Sequence, residues 1–329
     1  MGGEAERRIA VGLAQCAAYE RRSIKERVDV LLRGIGWRSP ARGSQVLLKP
    51  NLVMAQRHEG LACTHPDFVA AVAEWFLDHG ARVTVGDSPA FGSALQVMAA
   101  TGMTKALAGM PVRLVDFTSG RSLRLACGQT VRVATEALDC DVLVNLPKCK
   151  AHGQLRMSLA LKNLFGVVLK WRKAWAHMAQ GGRHGRFLEI LADLPAVLPG
   201  GVSILDGIVA MHRTGPTGGE PFSAGMIGAS RNPLALDTAV LAAIGLSPDH
   251  SPLARLCLAR EEPGARGDDL VFPLLAPGEI GLAGFDVPGA LQPIRFELAR
   301  YLINSFRKMN QFLRGGPHET PTRGTEGQG

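Results

Sequence analysis

Short apolar runs alternate with longer amphipathic segments along most of the chain, and this alternation constrains the fold more than any other feature. The run at 45–51 is too continuously apolar for a strand with one face in water. The next amphipathic segment has its apolar residues at helical spacing, and Thr64 before Pro66 predicts its N-cap. Repetition of this order predicts an α/β fold: a mainly parallel sheet with helices on both faces.

The chain has 329 residues, of which 46% are hydrophobic and 20% charged, so it can bury a large core. We expect one α/β domain over 1–290, either undivided or made of two lobes that meet near 135–205. A basic amphipathic helix is expected at 291–315, followed by a disordered tail at 316–329. Such a helix usually covers a core, and peripheral contact of 293–315 with a membrane surface is the alternative.

The formal net charge of +8 indicates either a compositional bias toward Arg or an anionic partner. Basic runs with interleaved aromatic residues are missing from the sequence, so we expect no nucleic acid partner. No window of 18 residues is both apolar and uncharged, which predicts the absence of a transmembrane segment, and the N-terminus lacks the apolar core of a signal peptide. A small anionic ligand and a cytoplasmic location are therefore expected.

Six cysteines are scattered through the chain without a C-x-x-C pair. This spacing argues against a zinc ribbon and against a Cys-ligated iron–sulfur motif, and it leaves the identity of any cofactor open. Cys149 has neither a paired base nor a partner thiol nearby in the sequence, so it ranks low as a nucleophile.

Polar residues follow nearly every predicted strand. Each group alone is equally typical of turns and helix caps. Several groups at the carboxyl edge of one parallel sheet would instead form a ligand pocket, because unpaired helix N–H groups converge there. The groups are Lys49-Pro50-Asn51, Gly86-Asp87-Ser88-Pro89, Asn145-Leu146-Pro147-Lys148, Asp206-Gly207 and Ser230-Arg231-Asn232-Pro233.

Residue chemistry suggests a role for each side chain in this pocket. Lys148 and Lys162 are the first choices for an anion, and Lys148 is also a candidate catalytic residue that could act as a base if sufficiently buried. The stretch after Asn145 is interpreted as a turn and then a helix over 157–165. His152, with Asp87 or Asp206, suits acid–base work, and Asp206 is also a candidate ligand for a divalent metal. The remaining predicted lining residues, for substrate binding, are Lys49, Asn51, Ser88, Asn145, Lys150, Asn163, Gly218 and Gly219.

Seven blocks resemble, in order, those of the uncharacterised family called domain of unknown function 362. They are LLKPNLV, THPDFVAAVAEWF, VTVGDSP, VLVNLPKCKAHG, ALKNLFG, ILDGIVAM with GPTGGEP, and NPLALDTAVLAAIGL, and they cover roughly 45–250. Many family members carry a ferredoxin-like segment that binds iron–sulfur clusters, which this chain lacks. The fold is also similar to that of lactate racemase-type enzymes, in which a nickel-pincer cofactor lies between two lobes.

We therefore expect an enzyme acting on a small carboxylate or phosphate, with or without a divalent metal. Proton transfer next to a carboxylate, as in racemisation, and a redox step are both compatible with the candidate residues. Two other classes stay open: a non-catalytic protein that carries or matures an anionic cofactor, and a redox accessory protein that takes electrons from a separate ferredoxin.

Overall fold

A computed structural model describes residues 8–55, 61–169 and 185–291. These residues belong to one compact unit that ends at Pro293. The helix expected at 291–315 and the tail expected at 316–329 lie outside the described residues, apart from residue 291. None of the helices in the described ranges has the length and apolar character needed to cross a membrane.

Thirteen strands are described, of which eleven form one sheet and two form a separate hairpin. Their bounds are β1 Ile9–Gln15, β2 Gln45–Pro50, β3 Arg82–Asp87, β4 Val112–Asp116, β5 Gly120–Arg124, β6 Thr130–Ala134, β7 Val142–Leu146, β8 Lys148–His152, β9 Arg156–Ser158, β10 Gly201–His212, β11 Glu220–Phe222, β12 Met226–Ser230 and β13 Leu270–Val271.

Ten α-helices are described. They are α1 Arg21–Gly34, α2 Pro66–Asp78, α3 Ala94–Ala100, α4 Met103–Ala106, α5 Thr135–Leu138, α6 Ala160–Leu164, α7 Gly185–Asp193, α8 Pro233–Ala243, α9 Pro252–Ala259 and α10 Pro277–Ile280. Short 3₁₀ turns lie at Phe165–Val167, Leu194–Val197, Pro248–His250 and Gly267–Asp269.

The large sheet is mostly parallel, as predicted. Its strand order is β13-β1-β12-β10-β7-β2-β3-β4, and the strands from β10 to β4 all run in parallel. Strand β12 is antiparallel to both of its neighbours, β1 and β10, which makes the sheet mixed. Side chains alternate between the faces: Val46 and Leu48 pack with α1 and α2, whereas Leu47 packs with α6 and α7.

The stretch that follows β7 differs from the predicted turn and helix. Residues 148–152 form β8, which pairs in parallel with β10, and Met157 and Ser158 belong to β9, which pairs with β8. Only Ala160–Leu164 is α-helical. Strand β10 does not end at Asp206-Gly207, because its second half continues past the main sheet and pairs with β8 and β11.

Two local predictions were wrong. Ser230-Arg231-Asn232-Pro233 follows an antiparallel strand: Ser230 pairs with Ser203, so the chain continues toward the opposite edge from Asp206. There Asn232 caps α8 through its side chain. The N-cap of α2 is His65 rather than Thr64, since His65 Nδ1 accepts a hydrogen bond from the backbone N–H of Asp67 at 3.2 Å. Thr64 instead donates its hydroxyl to the Leu146 carbonyl at 2.7 Å.

Candidate functional site

Strand β8 presents cationic and apolar residues on opposite faces. Lys148, Lys150 and His152 occupy alternate positions and therefore project from one face. Cys149 and Ala151 project from the other face into an apolar core. Burial raises the pKa of Cys149 to about 12, which keeps this cysteine a thiol. The strand thus places the three polar side chains of a basic sequence motif together on one buried face.

Lys148 is held by a closed network of polar groups. Its Nζ lies 2.9 Å from Asp206 Oδ2 and donates to the Tyr19 hydroxyl oxygen at 2.7 Å. The Tyr19 hydroxyl donates in turn to Asp206 Oδ1 at 2.8 Å, and the backbone N–H of His65 donates to Asp206 Oδ2 at 2.9 Å. The Tyr19 and His65 rings stack with centroids 3.6 Å apart. The charge of Lys148 is therefore compensated within the protein.

Lys49 forms a second buried ion pair, with Asp87. Lys49 Nζ and Asp87 Oδ1 are 2.8 Å apart, and both side chains are at most 3% exposed. Burial lowers the pKa of Lys49 and raises that of Asp87, while their mutual attraction opposes both shifts. Gly166 makes room for this pair, because a Cβ at that position would lie 2.1 Å from Asp87 Oδ1. Partly buried Ser88 donates its backbone N–H to the Gly166 carbonyl.

Two asparagines connect this ion pair to the centre of the sheet. Asn163 Nδ2 donates to Asn145 Oδ1 at 2.8 Å and, at 3.3 Å, to the backbone carbonyl of Lys49. Asn145 Nδ2 donates to Ser203 Oγ and to the Ala160 carbonyl, each at 3.0 Å. Both amides are thus engaged with the protein, so their role is to position the elements around the site.

Lys150 differs from these two lysines because no carboxylate of the described residues pairs with it. Its side chain is 1% exposed, and Nζ donates to the Ala62 backbone carbonyl at 2.8 Å. The same carbonyl accepts from Asn51 Nδ2 at 2.6 Å. Burial, followed by the charge of Lys162, lowers the pKa of Lys150 to about 7.

Lys162 lies on α6 and carries a second uncompensated positive charge. Within the described parts of the chain, its ammonium group has neither an ion-pair nor a hydrogen-bond partner, and the residue is partly exposed. Burial, followed by the charge of Lys49, lowers its pKa to about 8. The N-terminus of α6 is fixed by Asp237, whose carboxylate accepts the Ala160 N–H at 2.7 Å and the Leu161 N–H at 3.2 Å. Lys162 and Asp237 also line a small pocket with apolar side chains.

His152 completes this group as a neutral hydrogen-bond donor. Its Nδ1 accepts backbone N–H groups from Gln154 at 3.1 Å and Leu155 at 3.3 Å, which places the ring proton on Nε2. Burial, with the charges of Lys162 and Lys150, keeps the pKa of His152 well below its ordinary value. Lys150, Lys162 and His152 are called the cation site below.

The glycine-rich loop GPTGGEP at 215–221 reaches the end of β8 through Gly215. Gly218 and Gly219, the two glycines predicted to bind substrate, do not make this contact. The Gly153 N–H donates to the Gly215 carbonyl at 3.3 Å. Gly218 is exposed, and a Cβ added at this position would have no neighbour within 4 Å. Gly219 packs against Met211 and the Thr214 carbonyl. No contact of either glycine connects it with the cation site within the described residues.

Asp206 sits in an ion pair rather than among other metal ligands. Both of its carboxylate oxygens accept hydrogen bonds from Tyr19, His65 or Lys148. Throughout residues 8–55, 61–169 and 185–291, no group of three His, Cys, Asp or Glu side chains is arranged to hold a metal ion.

Sequence reasoning missed three residues that shape the site: Tyr19, Gly166 and Asp237. Asp237 had a detectable signal, since it is a lone carboxylate in the apolar helix PLALDTAVLAA. Tyr19 had none, because it is separated from Asp206 by 187 positions in the sequence.

The family model of domain of unknown function 362 matches residues 46–242, which contain every residue of the cation site. A thylakoid-associated protein of Synechocystis sp. (strain ATCC 27184 / PCC 6803 / Kazusa), sll1697, is 36% identical over 303 residues, covering 91% of this chain and 94% of its own length.

Among solved structures, the lactate racemase apoprotein from Thermoanaerobacterium thermosaccharolyticum matches with a TM-score of 0.39 and 13% identity. The match covers 61% of this chain and 52% of the racemase chain, so this chain spans about half the length of that protein.

Proposed function

The chain belongs to the family of domain of unknown function 362, and for this member we propose that the cation site binds a small carboxylate or phosphate and that the protein is an enzyme acting on it. One observation carries the proposal: Lys150 is buried with a neutral backbone carbonyl as its hydrogen-bond partner, and neither Lys150 nor Lys162 has a carboxylate partner among the described residues. An external anion would compensate their charge, as Asp87 does for Lys49.

The sequence favoured Lys148 and Lys162 as the anion-binding lysines. The distribution of carboxylates in the structure supports Lys150 in place of Lys148. Lys148 has Asp206 as its partner, so an anion there would compete with a buried carboxylate. At the cation site the anion would instead gain two ammonium groups and the Nε2–H of His152. Charge-assisted hydrogen bonds of this kind are stronger than neutral ones.

The protonation states support catalysis as well as binding. A lysine with a pKa of about 7 is an ammonium in part of the molecules and a free amine in the rest, so Lys150 can donate or accept a proton near neutral pH. Neutral His152 can hydrogen-bond a carbonyl or phosphoryl oxygen without giving up its proton. A protein that only carries an anionic cofactor would use the same groups but would show no turnover.

Ligand-induced stabilisation tests the binding proposal. We expect inorganic phosphate or malonate to raise the Tm of the wild-type protein above that in chloride of equal ionic strength, since a ligand that binds only the folded state stabilises it. Lys162→Met should remove most of this shift, whereas Lys105→Met, at an exposed position on α4, should keep it. Equal shifts in the wild type and Lys162→Met would contradict the site assignment.

The Synechocystis relative supports a second proposal, association with a membrane surface, because its name describes it as thylakoid-associated. The net charge of +8 is compatible with attraction to anionic lipids. Cosedimentation with phosphatidylglycerol vesicles that is lost at high salt would support this proposal, and equal cosedimentation with phosphatidylcholine vesicles, or none with either, would contradict it.

A further inference from the structure

The amine of Lys150 is placed differently from those of Lys49 and Lys148. Lys49 and Lys148 are each paired with a carboxylate. Lys150 has one hydrogen bond, to a neutral backbone carbonyl, and positive charges beside it at Lys162 and Lys148. Desolvation and neighbouring cations both favour the free amine, which is the nucleophilic form of lysine.

We propose that Lys150 is a nucleophile that condenses with the carbonyl group of a small anionic carbonyl compound, whose carboxylate or phosphate is bound by Lys162. This inference rests on the proposed anion site and adds the chemical class of the substrate. The compound must carry both an anionic group and an aldehyde or ketone, because the cation site offers one amine for each.

The covalent step is balanced without any other reagent. The free amine of Lys150 attacks the carbonyl carbon: a carbon–nitrogen bond forms, the carbon–oxygen π bond breaks, and one proton passes from the nitrogen to the oxygen. The carbon–oxygen single bond then breaks, and the oxygen leaves as water with the second nitrogen proton, which gives an imine with no change of oxidation state. The His152 Nε2–H can hydrogen-bond the oxygen as negative charge develops on it, which is the task of a neutral imidazole donor.

Lys150 is buried, and reaction at its amine requires it to leave the Ala62 carbonyl. The amine donates to the Ala62 carbonyl, and this carbonyl keeps a second donor, Asn51 Nδ2, when Lys150 moves away. The Ala62 carbonyl is therefore not left unpaired when the amine turns to a bound substrate. Lys148 would have to break its contacts with Asp206 and Tyr19, and so is the poorer nucleophile.

Reductive trapping tests this inference on the full-length protein. The protein is incubated near neutral pH with sodium cyanoborohydride and pyruvate, glycolaldehyde phosphate or uncharged acetaldehyde, and the modified lysines are located by peptide mass spectrometry. We expect either or both anionic probes to modify Lys150 before exposed Lys105 of the same molecule. Lys162→Met should reduce labelling of Lys150 by the anionic probes about tenfold or more relative to its labelling by acetaldehyde, which has no anionic group for Lys162 to bind.

The outcomes separate this inference from the proposed function. Labelling of Lys150 no faster than of Lys105 in the wild-type protein would overturn the inference, whether or not any variant folds. If phosphate still stabilises the protein in a Lys162-dependent manner, the anion site stands while the nucleophile is rejected. If phosphate has no effect and no adduct forms, both fail. Preference for pyruvate or for glycolaldehyde phosphate identifies the anionic group as a carboxylate or a phosphate.

Discussion

Three lysines within a short distance of one another show how the partner of a buried amine determines its chemistry. Lys49 and Lys148 have carboxylates at 2.8 and 2.9 Å and act as structural cations. Lys150 is as deeply buried as Lys49, yet it has only a carbonyl as its partner. Desolvation of an ammonium without a carboxylate is unfavourable, so its retention in a folded core is most readily explained by a function.

Substitution of Lys150 should reveal this unfavourable charge. Burial lowers the pKa of Lys150 from 10.5 to about 7. The charged Lys150 therefore lowers the free energy of unfolding by its full amount below about pH 7, and this destabilisation disappears above about pH 10.5. We expect Lys150→Met to raise Tm by a few °C at about pH 6.5, with little difference near pH 10. Thermal unfolding of both proteins across this range measures the effect, and a Tm difference independent of pH would contradict it.

Gly166 is the position where a single added methyl group should disrupt the Lys49–Asp87 pair. A Cβ would lie 2.1 Å from Asp87 Oδ1 and 2.5 Å from Lys49 Nζ. Because both groups are buried, we expect Gly166→Ala to destabilise the protein by about 1–3 kcal/mol in urea unfolding. Gly278→Ala is the control, since its Cβ would have no neighbour within 4 Å. Equal free energies of unfolding for the two variants would contradict this prediction and show that the Lys49–Asp87 pair accommodates the added methyl group.

At the scale of single elements, β8 shows why part of the site could not be predicted. The alternation K-C-K-A-H, with cations at every second position, is present in the sequence and is typical of a strand. It was obscured by Pro147 and the polar character of the stretch, which favour a turn. The position of Lys49, Asp87 and Asn145 at one edge of the sheet was predictable because parallel strands end at the same edge.

The direction of a strand and the side-chain contacts between residues far apart in the sequence could not be predicted from local sequence patterns. Nothing in Met226–Ser230 itself indicates that β12 runs antiparallel to β10, so its polar end was assigned to the wrong edge. Likewise, Asp206 looked like the end of a strand, but β10 continues for six residues beyond it. Only the fold shows that Tyr19, which precedes α1, reaches Asp206.

Asp206 joins four elements of the fold, so its charge should matter more than that of a surface ion pair. It contacts Tyr19 before α1, His65 at the start of α2, and Lys148 on β8. Asp206→Asn leaves the Lys148 charge buried without a carboxylate, and we expect a loss of about 3–5 kcal/mol in urea unfolding.

The matched control for this variant is the exposed pair Arg121–Asp139, whose side chains are 55% and 53% exposed. Arg121→Met should change the free energy of unfolding by about 1 kcal/mol or less, because solvent screens such pairs. A loss for Asp206→Asn as small as that for Arg121→Met would show that the buried network contributes little to stability.

On the scale of the whole molecule, the mixed sheet brings separate parts of the chain to one edge. The parallel strands β2, β3 and β7 supply Lys49, Asp87 and Asn145, while β8 extends beyond them alongside the second half of β10. Helix α6, which carries Lys162, is held at its N-terminus by Asp237. The fold thus contains two buried ion pairs, while Lys150 and Lys162 have no carboxylate partner among the described residues.

Proton uptake on anion binding tests the central claim most directly. An anion at the cation site must raise the lowered pKa values of Lys150 and Lys162, so binding near pH 8 should take up protons from the buffer. Calorimetric titration with phosphate in buffers of different ionisation enthalpy measures the number of protons taken up per bound phosphate. The account predicts net uptake beyond that of phosphate itself in the wild-type protein and its loss in Lys150→Met/Lys162→Met. Absence of binding, or equal uptake in both proteins, would contradict it.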